Sequence, residues 1–115
     1  ELTANYGIDH AITLAIILPA MLRCRLQQKK KKLAQFAERV FDIQSGSAAD
    51  KALAAADRLE SLFKLWDAPT RLSDCGLDKT AVKRISTAIG RRGVLLGERG
   101  DIGQKEIADI LTAAL

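Results

Sequence analysis

Aromatic residues are scarce in this sequence: one tryptophan, one tyrosine and three phenylalanines make up 4% of the chain. Hydrophobic residues nevertheless account for 48%, and alanine and leucine supply most of them. The core is therefore expected to be aliphatic and carried by helices. Because no segment alternates apolar and polar residues over the length of a strand, no sheet is predicted.

Cysteine is also rare, with Cys24 and Cys75 far apart and without a CxxC spacing. No secretory signal precedes them, so the sequence argues against a disulfide framework and favours a reducing cytoplasm. Neither cysteine has a neighbouring histidine, and no thiolate nucleophile is predicted.

No apolar run is long enough to span a membrane. The longest extends from Ala11 to Leu22 and is interrupted by Thr13 and Pro19. A bilayer span requires about 20 apolar residues, so this run is interpreted as a buried helix. Because it is apolar around most of its circumference, part of its surface is expected to face a partner that the chain lacks.

The positive charge is modest, with a net charge of +4. It permits contact with polyanions without requiring it. Its most conspicuous feature is the run Lys29–Lys32, for which a nucleic-acid surface is one interpretation. We favour a solvated N-terminal region of a helix, because no aromatic residues are interleaved and acidic residues follow. A loop or the end of the preceding helix is the alternative, since basic residues at a helix start are unfavourable with the helix dipole.

The 115 residues suffice for one domain with a single core. Apolar residues at spacings of three and four predict an all-α bundle of about five helices joined by short loops. The clearest helices cover the 12–22, 33–41, 48–66, 79–91 and 101–114 regions. Trp66 and the phenylalanines are expected in the core.

Turn and cap residues predict where these helices begin and end. The 5–7 segment is expected to be a turn, and Asp9 and Asp101 to start helices. Pro19 predicts a kink or break. Four glycines between Gly93 and Gly103 predict a flexible connection.

His10 is the only histidine. A lone histidine at a helix start is most often a structural or surface residue. Since a metal site commonly needs three or four ligands, this chain cannot close a histidine-rich site alone.

The residues around His10 carry a more specific signal. The opening segment ELTANYGIDHAITLAIILPA, from Glu1 to Ala20, resembles a signature of the iron-containing alcohol dehydrogenases, with His10 and Leu18-Pro19 as landmarks. The later segments LAQFAERVFDI, APTRLSDCGLD and EIADILTAAL are similar to the branch of NADP-dependent aldehyde reductases and butanol-dehydrogenase-like enzymes. The resemblance covers essentially the whole chain.

The resemblance implies that residues 1–115 form the C-terminal helical domain of a dehydroquinate-synthase-like fold, whose N-terminal nucleotide-binding domain is absent. No GxGxxG follows a predicted strand here. The chain is therefore interpreted as a fragment, inactive alone, of an enzyme that interconverts small alcohols and aldehydes with NADP(H) or NAD(H). A cytoplasmic homo-oligomer is expected, without nucleic-acid or membrane partners.

The resemblance also implies the site residues. His10 corresponds to the last histidine of a site in which one aspartate and three histidines bind Fe²⁺ or Zn²⁺, so this chain is expected to bind the ion weakly. Asp9 is a possible hydrogen-bond partner of His10, although an N-cap role is preferred. Tyr6, where many relatives have another histidine, is a possible pocket residue, and Leu2 and Thr3 are weaker candidates for substrate contact.

Two other hypotheses remain open. One is a basic helical module that binds nucleic acid through Lys29–Lys32. The other is a helical domain that self-associates through apolar surface around Ile12–Leu18. Neither explains the sequence around His10.

Overall fold

Six α-helices form the fold in the computed structural model, which describes residues 1–115. They are α1 (Leu2–Tyr6), α2 (His10–Cys24), α3 (Leu26–Phe41), α4 (Ala48–Leu65), α5 (Lys79–Arg91) and α6 (Gln104–Ala113), with a 3₁₀ turn at Ser73–Cys75. There is no strand, and one isolated antiparallel bridge joins Leu96 and Ile102. The predicted all-α class is confirmed. None of the helices combines the length and hydropathy needed to cross a bilayer.

The additional helix is α1, where the sequence predicted a turn. It ends at Gly7, whose φ of 67° is left-handed and whose N–H donates to Thr3 O at 3.0 Å. Glycine adopts this conformation without the steric cost of a Cβ. The helix was missed because five residues are too few to show a helical period.

Helix α2 is central and packs against α1, α3, α4 and α6. It begins after Asp9, which caps it as predicted. It does not break at Pro19, whose side chain is fully buried within the continuous helix. This chain does not cover α2 on every side, since Leu14 is 51% exposed. That agrees with the expectation that the chain alone does not surround α2, and a partner that covers the exposed part stays a prediction.

Two apolar clusters hold the helices together. The first joins α1, α2, α5 and α6 and includes Leu2, Ile16, Leu72, Ile85 and Leu111. The second joins α2, α3 and α4 through Leu22, Leu33, Ala52 and Ala56. Small alanine side chains at the second cluster allow α3 and α4 to approach closely. Each fully buried leucine or isoleucine contributes about 1.5–3 kcal/mol.

A buried carboxylate connects α2, α4 and the turn that follows α4. The side chain of Glu60 is 7% exposed and lies 2.6 Å from Arg23, 2.8 Å from Lys64 and 3.4 Å from Arg71. Burial raises the pKa of Glu60, but the Lys64 ammonium and the Arg23 and Arg71 guanidiniums outweigh it and lower the pKa to about 2. The ion cluster therefore stabilises the packing of α4 against α2.

The run Lys29–Lys32 lies in the N-terminal part of α3, which begins at Leu26, in agreement with the interpretation favoured from the sequence. Two other expectations were wrong. Helix α6 begins after Gly103, whose N–H donates to Glu106 Oε2 at 3.0 Å, whereas Asp101 forms an ion pair with Arg25. Trp66 is 65% exposed because it follows the last turn of α4 and leaves the core.

The glycine-rich 93–103 connection is anchored rather than free. Leu96 and Ile102 exchange two backbone hydrogen bonds of 2.9 and 3.1 Å. Lys29 Nζ donates to Glu98 Oε1 at 2.9 Å, and Arg25 pairs with Asp101. The connection is therefore fastened to the junction of α2 and α3.

Candidate metal-ligand site at His10

His10 is the first residue of α2, and its side chain is exposed. The preceding residue fixes the helix start: Ala11 N donates to Asp9 Oδ1 at 2.8 Å, and Thr13 Oγ1 donates to Asp9 O at 2.9 Å. Gly7 allows the sharp turn from α1 into this start. The backbone of His10 is therefore held in place while its imidazole faces outward.

The chain supplies few donors around this imidazole. No group of three or more histidine, cysteine, aspartate or glutamate side chains is arranged to hold a metal ion. Cys24 and Cys75 are both free thiols. The donor set therefore fits a single ligand of a metal site, and further ligands would have to come from outside the chain.

Asp9 acts in the helix cap. One of its carboxylate oxygens accepts the Ala11 N–H, which satisfies one of the otherwise free N–H groups at the helix start. A hydrogen bond from the His10 ring to Asp9 is not present, so the suggested partnership stays a prediction.

Tyr6, the last residue of α1, is half-buried and packs against the first apolar cluster. It lines a groove of about 360 Å³ with Leu77, Thr80 and Arg84. This groove faces the start of α5. A role of Tyr6 in a substrate pocket stays a prediction.

Leu2 and Thr3 differ in their surroundings. Leu2 is 5% exposed and anchors α1 in the first apolar cluster. Thr3 is exposed, and its Oγ1 lies 3.4 Å from Thr13 Oγ1 on α2. Both side chains thus fix α1 against α2 close to His10.

An apolar groove follows the face of α2 that carries His10. Ile17 and Met21, seven and eleven residues after His10, share this face at helical spacing. They line a groove of about 270 Å³ together with Thr13 and with apolar residues of α1, α5 and α6. The wall therefore starts within one turn of the candidate ligand.

Leu96 and Ile102 also line this apolar groove. Their contribution was not expected from the sequence, because four glycines predict a flexible connection over residues 93–103. The available signal was the apolar run Val94–Leu96 between glycines.

The run Lys29–Lys32 does not form a single basic face. Four consecutive residues point in directions about 100° apart on a helix. Lys29 is paired with Glu98, and the outer lysines Lys31 and Lys32 are exposed. This geometry disfavours the nucleic-acid interpretation of the run.

Comparison with known proteins identifies the family. The family described as Fe-containing alcohol dehydrogenase, C-terminal, matches residues 1–115. The chain is 42% identical over 103 residues to the NADPH-dependent aldehyde reductase YqhD of Escherichia coli (strain K12), covering 89% of this chain and 27% of that protein. It is 30% identical over 115 residues to the probable NADH-dependent butanol dehydrogenase 1 of Bacillus subtilis (strain 168), covering 98% of this chain and 30% of that protein. The chain thus spans less than a third of the length of these relatives.

Solved structures show the same fold. The substrate- and cofactor-free form of the E. coli aldehyde reductase YqhD superposes with a TM-score of 0.93 at 39% identity, covering 99% of this chain and 30% of that one. The NADH-dependent butanol dehydrogenase A of Thermotoga maritima gives a TM-score of 0.87 at 22% identity, covering 98% of this chain and 30% of that one, which supports the fold alone. The chain belongs to the Fe-containing alcohol dehydrogenase family and corresponds to its C-terminal part.

Proposed function

We propose that residues 1–115 are the C-terminal helical domain of an oxidoreductase that interconverts alcohols and aldehydes by hydride transfer with NADP(H) or NAD(H). The family match over the whole chain supports this proposal. So do relatives described as an NADPH-dependent aldehyde reductase and an NADH-dependent butanol dehydrogenase. Because the chain spans only 27–30% of these relatives, the nucleotide-binding part would lie elsewhere in a longer protein.

The observation that carries the proposal is the exposed His10 at the capped start of α2. A neutral imidazole there donates a ring-nitrogen lone pair to Fe²⁺ or Zn²⁺. When bound, the ion supplies Lewis acidity toward the substrate oxygen. Asp9 and Gly7 position the ligand by fixing the helix start. Since Asp9 is used in the cap, we assign it to backbone positioning rather than to the imidazole.

The apolar groove supports an organic substrate. This groove is lined mostly by hydrophobic side chains. Its first residue on α2 is Thr13, one turn from His10. Such a wall excludes water from the carbon skeleton of a small alcohol or aldehyde and fits apolar substrate atoms. We further propose a cytoplasmic homo-oligomer, in which the half-exposed Leu14 of α2 is covered by protein outside this chain.

A domain exchange tests the proposal. The 115-residue chain replaces the matching C-terminal segment of the E. coli aldehyde reductase, to which it is 42% identical. We expect the hybrid to reduce aldehydes with NADPH and a His10→Ala hybrid to lose this activity. An Arg58→Ala hybrid is the control and should retain the activity, because Arg58 is exposed on α4, away from the His10 site.

The chain alone provides the complementary measurement. Without the other ligands and the nucleotide-binding part, we expect no aldehyde reduction with NADPH and only weak Zn²⁺ binding by calorimetry. Reduction at enzyme-like rates, or tight one-to-one metal binding, would contradict the proposed division of the site. A folded hybrid whose activity is unchanged by His10→Ala would contradict the role of His10.

A further inference from the structure

A third groove runs between α1 and α5. Its volume is about 560 Å³, and four of the residues that line it are cations: Lys83, Arg84, Arg91 and Arg92. We name it the α5 basic groove. Its one carboxylate is Glu1, so it carries a net charge of +3.

The charges of this groove are mostly uncompensated. Arg92 pairs with Glu1, and Asn5 Nδ2 also donates to Glu1 Oε2 at 2.7 Å. The Glu1 carboxylate is thus fully engaged at the edge of the groove. Lys83, Arg84 and Arg91 take part in no ion pair, whereas eight other lysines and arginines of the chain do.

Helical spacing directs these cations into one groove. Lys83, Thr87 and Arg91 follow one another at intervals of four, and Arg84 lies seven residues before Arg91. Seven residues rise about 10 Å along a helix. The long side chains of Arg84 and Arg91 can therefore reach toward the same ligand from opposite ends of the groove. Helix α5 carries no acidic residue, so nothing within it neutralises this face.

We propose that the α5 basic groove binds a phosphate-chain anion, with a diphosphate as its minimal ligand. The planar guanidiniums of Arg84 and Arg91 offer paired N–H donors that match phosphate oxygens, and Lys83 adds a third positive charge. The Thr87 hydroxyl, which has no hydrogen-bond partner in the chain, provides a neutral donor between them. The diphosphate is either inorganic or part of a nucleotide.

Titration of inorganic pyrophosphate into the 115-residue chain at low ionic strength tests this assignment. We expect saturable one-to-one binding that weakens as salt is added, because partly exposed charges are screened. Arg84→Gln combined with Arg91→Gln should weaken binding by about tenfold or more, since each hydrogen bond to a charged group contributes about that factor.

The matched control removes two other arginines. Arg39 and Arg58 are exposed and unpaired on α3 and α4, so Arg39→Gln combined with Arg58→Gln causes the same loss of net charge elsewhere. Binding should be retained in this control. An equal loss in both double variants would show non-specific attraction and overturn the assignment, as would the absence of saturable binding to the unaltered chain.

Chemical-shift mapping on the unaltered chain locates the ligand without any substitution. The largest amide shifts are expected at Thr87 and Arg91, and a maximum at Lys30–Lys32 would contradict the site. ADP that binds as tightly as pyrophosphate indicates recognition of the phosphate chain alone, and tighter ADP binding indicates a nucleotide source. A single-stranded oligonucleotide that binds the same groove far more tightly than either would overturn the small-ligand assignment.

Discussion

Replacing Glu60 by Gln should destabilise the fold in a pH-dependent manner. The pKa of Glu60 falls from an ordinary 4.5 to about 2 in the folded chain. Each pKa unit corresponds to about 1.4 kcal/mol, which gives an upper limit of about 3.5 kcal/mol. Lys64 and Arg71 are 59% and 40% exposed, so solvent screens part of the interaction. We therefore expect a loss of about 2 kcal/mol at pH 7.

The direction of the pH dependence follows from the lowered pKa. Above about pH 4.5, the Glu60 carboxylate makes its full contribution to the free energy of unfolding. This contribution is lost as the pH falls toward 2, where Glu60 becomes protonated in the folded chain as well. The difference in unfolding free energy between the unaltered chain and Glu60→Gln should be constant from pH 7 to 5.5. It should shrink steadily at lower pH. Urea unfolding followed by circular dichroism at each pH measures it.

Asp57→Asn is the matched control. Asp57 contacts the same Arg23 at 2.7 Å, but its side chain is 57% exposed. An exposed pair contributes about 0–1 kcal/mol, so this variant should lose much less than Glu60→Gln. Equal losses in the two variants, or a Glu60→Gln difference that persists undiminished at pH 3, would refute the assignment of the stabilisation to the buried carboxylate.

Two substitutions at the start of α2 test how His10 is positioned. Asp9→Ala removes the side-chain cap and should lower stability by about 1 kcal/mol in urea unfolding, whereas Asp9→Asn, which still caps, should lose much less. Gly7→Ala should cost about 1–2 kcal/mol, because φ is 67° and an added Cβ meets no atom within 4 Å, so only backbone strain acts. A thermal midpoint unchanged by Gly7→Ala would contradict the left-handed turn.

The sequence predicted the long helices well because their apolar periods and caps are local. Ser47 and Asp78 cap α4 and α5 through side-chain hydrogen bonds to the first turn. The Glu60 ion cluster was not predicted, since Arg23 and Arg71 come from distant parts of the chain. Their charges meet only after α2 packs against α4. The start of α6 was predicted incorrectly because an aspartate can either cap a helix or form an ion pair. Asp101 pairs with Arg25 and does not cap α6.

The candidate site was predictable to a different extent. The residues around His10 in the sequence predicted it as a metal ligand. The structure shows in addition that His10 is exposed and that it begins a capped helix. The apolar groove could not be predicted as a whole, because Ile17, Ile85 and Leu96 reach it from separate elements. In the proposed site the remaining metal ligands would come from outside the chain, so the complete site could not be predicted from residues 1–115 alone.

The metal content of the hybrid between this chain and the E. coli aldehyde reductase tests the role of His10 most directly. After purification and dialysis, the hybrid should retain about one Fe²⁺ or Zn²⁺ per chain if the imidazole completes a multi-ligand site as proposed. His10→Ala should lose most of this metal while circular dichroism stays unchanged, since His10 is exposed and fills no part of the core. A His10→Ala hybrid that retains its metal in full would contradict the account.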